Sequence, residues 1–187
     1  MVALTVACTG NKVTRVAANA ELKSAETAVN VNVTEDTDRG YIVKVGDMAP
    51  NFSMRLTNGE TITLSDLRSK VVMLQFTASW CGVCREEMPF IERDIWQKHK
   101  ANPKFRLYGI DRDEPLETVL TFAKQTGITY PLGLDPKADI FALYAQRNAG
   151  ITRNVIVDTD GRIVMLTRLY NKEEFAEMCK IIDKLLN

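Results

Sequence analysis

The chain has little that would mark it as a nucleic-acid binder, a multi-histidine metalloprotein or a disulfide-rich mini-fold. Its 187 residues include one His and four Cys, and its 24 Lys and Arg balance 24 Asp and Glu. Neutralising the phosphates of a nucleic acid requires a basic excess, so zero net charge argues against that class of protein. One histidine excludes multi-histidine metal sites, and four cysteines are too few for a fold held together by disulfides.

Long apolar runs are absent, and the aromatic residues are unevenly distributed. No run approaches the roughly 18 apolar residues of a transmembrane helix. All seven Phe, two Trp and five Tyr residues lie at or after Tyr41. Residues 9–40 are mostly small, polar or charged, and such a segment buries too little apolar surface to offset its ordering entropy. We therefore predict a flexible tether over 9–40 and one domain over 41–187. An added strand or helix packed on the domain is the alternative, supported by the Val-rich stretch at 29–33.

The first eight residues, MVALTVAC, are apolar and mostly small, and they end in Cys8. This pattern is similar to the end of a bacterial lipoprotein signal, which is cleaved before a cysteine that then carries lipid. It departs from such signals in having no basic start and in placing Thr5 where Leu is usual. We expect residues 1–8 to be the remnant of such a signal and Cys8 to be lipidated. A free thiol near a frayed terminus is the alternative.

From residue 41 onward, strand-like and helix-like patterns alternate. Asn58-Gly59 between two strand-like runs predicts an N-terminal β-hairpin. The apolar run VVMLQF predicts a central strand buried on both faces. Further strands are predicted at 105–111, around 130–135, at 154–158 and at 162–168, and helices at about 82–100, 115–127, 138–145 and 172–186. Pro89 lies inside the first of these helices and should kink it. This order predicts an α/β fold with a mixed central sheet and helices on both faces.

Cys81 and Cys84 stand where the predicted central strand gives way to a helix. Unpaired N–H groups and the dipole at a helix start favour an anion, and Cys84 lies one turn later on the same face. The two sulfurs can therefore bond reversibly, with Cys81 as the exposed attacking thiolate and Cys84 as the resolving thiol. The alternatives are half of a zinc site, which lacks two nearby ligands, and a plain structural disulfide.

The segment FTASWCGVCREEMP at 76–89 resembles the active-site motif of the thioredoxin superfamily, and within it the TlpA/ResA-like envelope thiol–disulfide oxidoreductases. The opening VGDMAPNF and the late hairpin NVIVDTDGRI match the same family in the same order. The resemblance covers about residues 43–187. It implies a thioredoxin fold with an inserted βα unit, and dithiol–disulfide exchange as the activity.

The resemblance also implies roles for individual residues. Cys81 attacks, Cys84 resolves, Trp80 packs beside the active site, and the Glu87 carboxylate handles protons near the sulfurs. A solvated Glu87 on the helix surface is the alternative. The family's substrates would be cysteine pairs of envelope proteins, reduced with electrons from a membrane thiol–disulfide donor. We expect no cofactor and no metal.

Three positions depart from the family pattern. Thr152 occupies the place of a cis-proline that usually touches the disulfide. A cis bond before a non-proline residue costs about 2.5–4 kcal/mol, so either the Ile151–Thr152 bond is trans or the fold holds a strained bond. The Thr152 hydroxyl could also hydrogen-bond a sulfur. Val83 stands where many relatives have Pro, and Gln75 stands where thioredoxin has a buried Asp.

The sequence therefore predicts an enzyme, a thiol–disulfide oxidoreductase in the bacterial cell envelope that faces the periplasm. One alternative is a thioredoxin-fold binding module with weak or lost redox activity, for which Thr152 is the reason. The other is a thiol peroxidase. Peroxidases of this fold use a Pro-x-x-x-Thr/Ser-x-x-Cys pattern, whereas Met73 and Trp80 hold the corresponding positions around Thr77.

Two further features carry weaker expectations. Cys179 adjoins the apolar stripe of the last predicted helix, so we expect it to serve in packing. The acidic residues Asp111, Asp113 and Glu114 lie at the end of a predicted strand and could suggest a metal site. We expect instead a solvated loop that leads into the next helix.

Overall fold

The structure is a computed structural model that describes residues 39–187. The predicted signal remnant at 1–8 with Cys8, and the predicted tether as far as residue 38, lie outside the described residues and stay predictions. Between residues 39 and 187, no helix is long and apolar enough to cross a membrane.

Seven strands form one mixed sheet. They are β1 (Ser53–Leu56), β2 (Thr61–Thr63), β3 (Val71–Thr77), β4 (Phe105–Arg112), β5 (Leu132–Asp135), β6 (Arg153–Val157) and β7 (Ile163–Arg168). Across the sheet the order is β2-β1-β5-β4-β3-β6-β7. Strands β3, β4 and β5 are parallel, while the two hairpins β1–β2 and β6–β7 add antiparallel strands on either side. The predicted mixed sheet with an N-terminal hairpin is confirmed.

The helices follow the predicted order, and the one predicted at 138–145 is shorter than expected. They are α1 (Gly82–Phe90), α2 (Gln97–His99), α3 (Leu116–Thr126) and α4 (Lys172–Leu186), with 3-10 turns at Leu64–Leu67 and Phe141–Leu143. Helix α3 starts after Pro115 and ends at Gly127, whose φ of 70° is the left-handed conformation that glycine adopts without strain. The helix predicted at 138–145 is a single 3-10 turn.

Pro89 lies inside the active-site helix, and the helix changes its winding directly after it. Helix α1 ends at Phe90, and residues Ile91–Trp96 form a wider π-helical segment before α2. At its end the Gln97 N–H donates to the Glu92 carbonyl five residues earlier. Proline lacks an N–H and crowds the carbonyl four residues earlier, so it interrupts regular α-helical bonding in this part of the helix. Where the sequence predicts a kink at Pro89, the structure shows this change of winding from Ile91 onward.

The central strand β3 is buried along its whole length, because both faces of the sheet are covered there. On one face, Phe76 packs edge-on against Phe141 of the second 3-10 turn. The opposite face carries α1 and α4, which meet where the ring of Phe90 packs against Phe175. Fully burying one such side chain stabilises the fold by about 1.5–3 kcal/mol. The well-packed core holds the end of β3 and the start of α1 in fixed positions.

Candidate active site

The two predicted redox cysteines lie at the junction of β3 and α1. Cys81 is the N-cap of α1, with extended backbone, and its Sγ accepts a hydrogen bond of 3.2 Å from the Cys84 backbone N–H. The two sulfurs are joined as a disulfide, and the Cα atoms are 5.3 Å apart. The helix start therefore presents a backbone donor to the Cys81 sulfur, which is the arrangement that stabilises a thiolate.

Cys81 is less exposed than the sequence predicts. It is 8 % exposed, whereas Cys84 is fully buried. Cys81 is the more accessible of the two cysteines, as the expected roles require, but the expectation of an exposed Cys81 is wrong. The cover includes Thr152, itself buried, whose hydroxyl touches both sulfurs.

Thr152 comes to the active site from the loop before β6. Its Oγ1 lies 3.1 Å from the Cys81 Sγ and 3.3 Å from the Cys84 Sγ. Its carbonyl accepts a hydrogen bond of 3.2 Å from the Leu169 N–H, which ties the loop to the end of β7. The place that a proline usually fills is thus occupied here by a hydroxyl in hydrogen-bonding contact with the reactive pair.

Trp80 directly precedes Cys81 but is not covered by the rest of the protein. It is 61 % exposed, the most exposed of the large apolar side chains in residues 39–187. Its neighbour Ser79 is held firmly: the Ser79 N–H and hydroxyl both donate to the Glu114 carboxylate, at 2.6 and 2.5 Å. A fixed backbone therefore carries an exposed indole next to the active-site cysteine.

Glu87 lies one turn after Cys84 and is buried, with 2 % of its surface exposed. The alternative of a solvated surface Glu87 is therefore wrong. Its Oε1 accepts a hydrogen bond of 2.7 Å from the Asn154 Nδ2. Burial raises the pKa of the Glu87 carboxyl to about 7, although the Asn154 and Gln75 amides act to lower it. A carboxyl with this pKa can gain or lose a proton at neutral pH.

A layer of buried polar side chains continues from Glu87 across the sheet. Gln75 and Asn154 are register partners on β3 and β6. The Tyr130 hydroxyl donates to the Gln75 Oε1 at 2.6 Å, and the Asn154 Nδ2 also lies 2.9 Å from the Thr167 Oγ1. Sequence reasoning noted Gln75 but missed the other three. The available signal was a polar residue inside an apolar strand, because buried polar groups require partners.

The acidic residues at the end of β4 and just beyond it differ from the expected solvated loop. Asp111 is fully buried, and Glu114 is bonded to Ser79 as described above. Burial, reinforced by the negative charge of Glu114, raises the pKa of the Asp111 carboxyl to about 8. The expectation of a solvated loop is therefore wrong for Asp111. Within residues 39–187, no group of three or more His, Cys, Asp or Glu side chains is placed to hold a metal ion.

Cys179 lies on α4 as a free, half-buried thiol that packs against the core. Burial raises the pKa of this thiol to about 11. A thiol with such a pKa is almost entirely protonated at neutral pH and is a poor nucleophile. The expectation that Cys179 serves in packing agrees with this position.

Comparison with known proteins places these features in a family. The Redoxin family model matches residues 44–182. A relative named thiol-disulfide oxidoreductase ResA, from Bacillus cereus, is 30 % identical over 122 residues, which are 65 % of this chain and 68 % of the relative.

Solved structures show the same likeness. A solution structure from Bacteroides thetaiotaomicron, provisionally assigned as a protein disulfide isomerase, has a TM-score of 0.77 and 70 % identity, covering 79 % of this chain and 92 % of that one. A crystal structure from Chlorobium tepidum, provisionally assigned as the thiol:disulfide interchange protein DsbE, has a TM-score of 0.66 and 26 % identity, covering 76 % and 99 %. The fold is thus the predicted thioredoxin fold.

The match to the Redoxin model spans most of the chain, and the paired cysteines lie at the helix start where the motif requires them. The predicted family and enzyme class are confirmed. The chain belongs to the Redoxin family, as a TlpA/ResA-like thiol–disulfide oxidoreductase of the thioredoxin superfamily.

Proposed function

We propose that this oxidoreductase reduces disulfides between cysteine pairs of cell-envelope proteins. The observation that carries the proposal is the pair at the start of α1: Cys81 is partly accessible, Cys84 is buried, and the two sulfurs are within bonding reach. The exposed Trp80 beside them offers an apolar contact to a polypeptide. Reduction, rather than oxidation, is the direction that the family resemblance implies.

The exchange runs in two displacement steps. The Cys81 thiolate attacks one sulfur of the substrate disulfide, and the other substrate sulfur leaves as a thiolate and takes up a proton. Cys84 then loses its proton and attacks the Cys81 sulfur, which releases the second substrate thiol. Two electrons pass to the substrate, and the enzyme ends in the disulfide state that the structure shows.

Glu87 supports the second step in this proposal. Cys84 is fully buried, so its proton has no direct access to water. Glu87 is buried on the same face of α1, one turn later, with a pKa of about 7. Its carboxylate accepts the Cys84 proton as the resolving thiolate forms, and it returns the proton to solvent at the end of the cycle.

The proposal places the enzyme in the bacterial envelope, facing the periplasm. Lipid on Cys8 would anchor the chain, and residues 9–40 would let the domain reach its substrates. A membrane thiol–disulfide protein would return electrons to the Cys81–Cys84 pair after each turnover. The support is the lipoprotein-like pattern at 1–8 and the resemblance to ResA-like enzymes.

The peroxidase alternative lacks a suitable nucleophile at the expected place. The position three residues after Thr77 is Trp80, which is largely exposed and carries no thiol. A yeast mitochondrial 1-Cys peroxiredoxin is similar in structure, with a TM-score of 0.60, but at 17 % identity this similarity shows the fold alone. We therefore retain disulfide exchange as the function.

Insulin reduction with dithiothreitol as the electron source tests the proposal. We expect the wild-type protein to accelerate insulin precipitation and Cys81→Ser to abolish the acceleration, because the attacking sulfur is gone. Cys84→Ser should stall as a mixed disulfide through Cys81. Cys179→Ser, which removes a thiol outside the pair, is the matched control and should keep full activity. Equal, slow reduction by wild type and Cys81→Ser would contradict the proposed function.

A further inference from the structure

Thr152 makes a contact that a proline cannot make. One hydroxyl, Oγ1, lies 3.1 Å from the Cys81 Sγ and 3.3 Å from the Cys84 Sγ. Thr152 is 2 % exposed, so water does not compete freely for this hydroxyl. In the described part of the chain, the two sulfurs are the hydrogen-bond partners of Oγ1.

The oxygen is held in place while its proton is free to turn. The Thr152 carbonyl accepts hydrogen bonds from the Leu169 N–H at 3.2 Å and from the Arg168 guanidinium at 3.4 Å. A β-branched side chain has restricted χ1 rotation, so a fixed backbone also fixes Oγ1. A hydroxyl hydrogen, by contrast, rotates to suit whichever acceptor is stronger.

The negative charge moves between these two sulfurs during exchange. Before attack it lies on Cys81, which becomes neutral once it is bonded to the substrate sulfur. The charge next develops on Cys84 as that thiol is deprotonated for the second displacement. A hydrogen bond to an ionised acceptor is about twice as strong as a neutral one, so the hydroxyl is drawn to the charged sulfur at each stage.

We propose that Thr152 is a catalytic residue whose single hydroxyl donates to Cys81 in the attacking step and to Cys84 in the resolving step. This inference rests on the proposed exchange reaction and adds a shared donor to it. The covalent steps are unchanged: each displacement forms one S–S bond and breaks another. The Thr152 hydroxyl moves no electrons and keeps its own proton throughout.

Other charged groups surround the pair and stay constant in the test. Glu87 lies on α1, one turn after Cys84. Glu114, just before α3, accepts hydrogen bonds from Ser79, and Arg85 of α1 donates to the Ser79 carbonyl. Arg168 lies on the far side of Thr152. Substituting Thr152 alone leaves each of these charges in place.

The test compares Thr152→Val, which keeps the branched shape, with Thr152→Ser, which keeps the hydroxyl. All variants carry Cys8→Ser and Cys179→Ser, so that Cys81 and Cys84 are the remaining thiols. The reduced proteins are mixed rapidly with dithiobis-nitrobenzoate, and the two successive releases of the coloured thiolate report attack by Cys81 and resolution by Cys84. Alkylation of Cys81 by iodoacetamide across a pH series gives its pKa. Thermal unfolding of each oxidised variant checks that it is folded, and Thr152→Ala replaces Val if Val does not fold.

We expect the valine variant to raise the Cys81 pKa by about one unit, since it removes a hydrogen bond to a charged group. At a pH below the wild-type pKa, the valine variant has about tenfold less Cys81 thiolate than wild type, while that thiolate is about threefold more nucleophilic. Attack should therefore slow about threefold below the pKa and be faster than wild type above it. Resolution should slow as well, and Thr152→Ser should restore both phases to within about twofold.

Three results would overturn the inference. They are an unchanged Cys81 pKa in the valine variant, a serine variant that behaves like valine, and slowing of only one of the two phases at a pH below the wild-type Cys81 pKa. None of them depends on a protein substrate. A failure of insulin reduction would instead count against the proposed function, so the two hypotheses fail separately.

Discussion

At the scale of single residues, the buried carboxyl of Glu87 couples the active site to the stability of the protein. The pKa of Glu87 is raised from 4.5 to about 7 because it is buried. Between those two pH values the folded state holds a proton that the unfolded state has lost. The free energy of unfolding therefore falls as pH rises through this window. Above pH 7 it is lower by about 3 kcal/mol than below pH 4.5, because the folded protein then holds a buried carboxylate.

Replacing Glu87 by Gln removes this titration, so Glu87→Gln should be more stable than wild type above pH 7 and should lose the advantage near pH 4.5. Urea unfolding of the oxidised proteins at a series of pH values measures the difference. Asp111, with its raised pKa, gives both proteins a slope of the same sign, so only the difference between them is diagnostic. A pH-independent difference would show that Glu87 is not held protonated.

Glu87→Gln should also slow the resolving step, whereas Glu86→Gln, on the exposed side of α1, should not.

At the scale of elements, α4 matters to the site because it packs on α1 through Phe90 and Phe175. Its N-cap is Asn171, whose side chain accepts the Glu174 backbone N–H at 2.8 Å. Asn171→Ala should lower the free energy of unfolding by about 1 kcal/mol, because a helix-start donor loses its acceptor. Asn171→Ser should recover most of that loss, and urea unfolding measures both. Equal stability of the alanine variant and wild type would contradict a capping role.

At the scale of the whole molecule, the chain combines the oxidoreductase domain with an aromatic-free N-terminal stretch that includes Cys8. If Cys8 carries lipid, the protein expressed from its natural gene, with any residues that precede Met1 retained, should sediment with membranes in a bacterium that processes lipoproteins. Cys8→Ser should appear in the soluble fraction, because one substitution removes the attachment site. Cys179→Ser is the control and should stay with the membranes. Equal distribution of wild type and Cys8→Ser would show that Cys8 does not anchor the protein.

The sequence alone determined the features that depend on neighbouring residues. A short-period apolar pattern defines each strand and helix, and Asn58-Gly59 defines its hairpin, because backbone preference and burial act locally. The Cys81–Cys84 pair was predicted in the same way, since two cysteines one helical turn apart face the same side. The sequence predicted a kink at Pro89 but not the wider winding after it, and the run at 138–145 gave one 3-10 turn instead of a helix.

Tertiary structure decided how distant polar groups are arranged around the active site. A Thr152 hydrogen bond to one sulfur was expected from the family resemblance, whereas its contact with both sulfurs was not. Thr152 reaches Cys81 across 71 residues of sequence, and Asn154 reaches Glu87 across 67, because β6 lies beside β3 in the sheet. The burial of Asp111 likewise follows from its place on the buried strand β4. Local sequence patterns carry no information on these long-range contacts. The contacts form only when the whole sheet has assembled and excluded water.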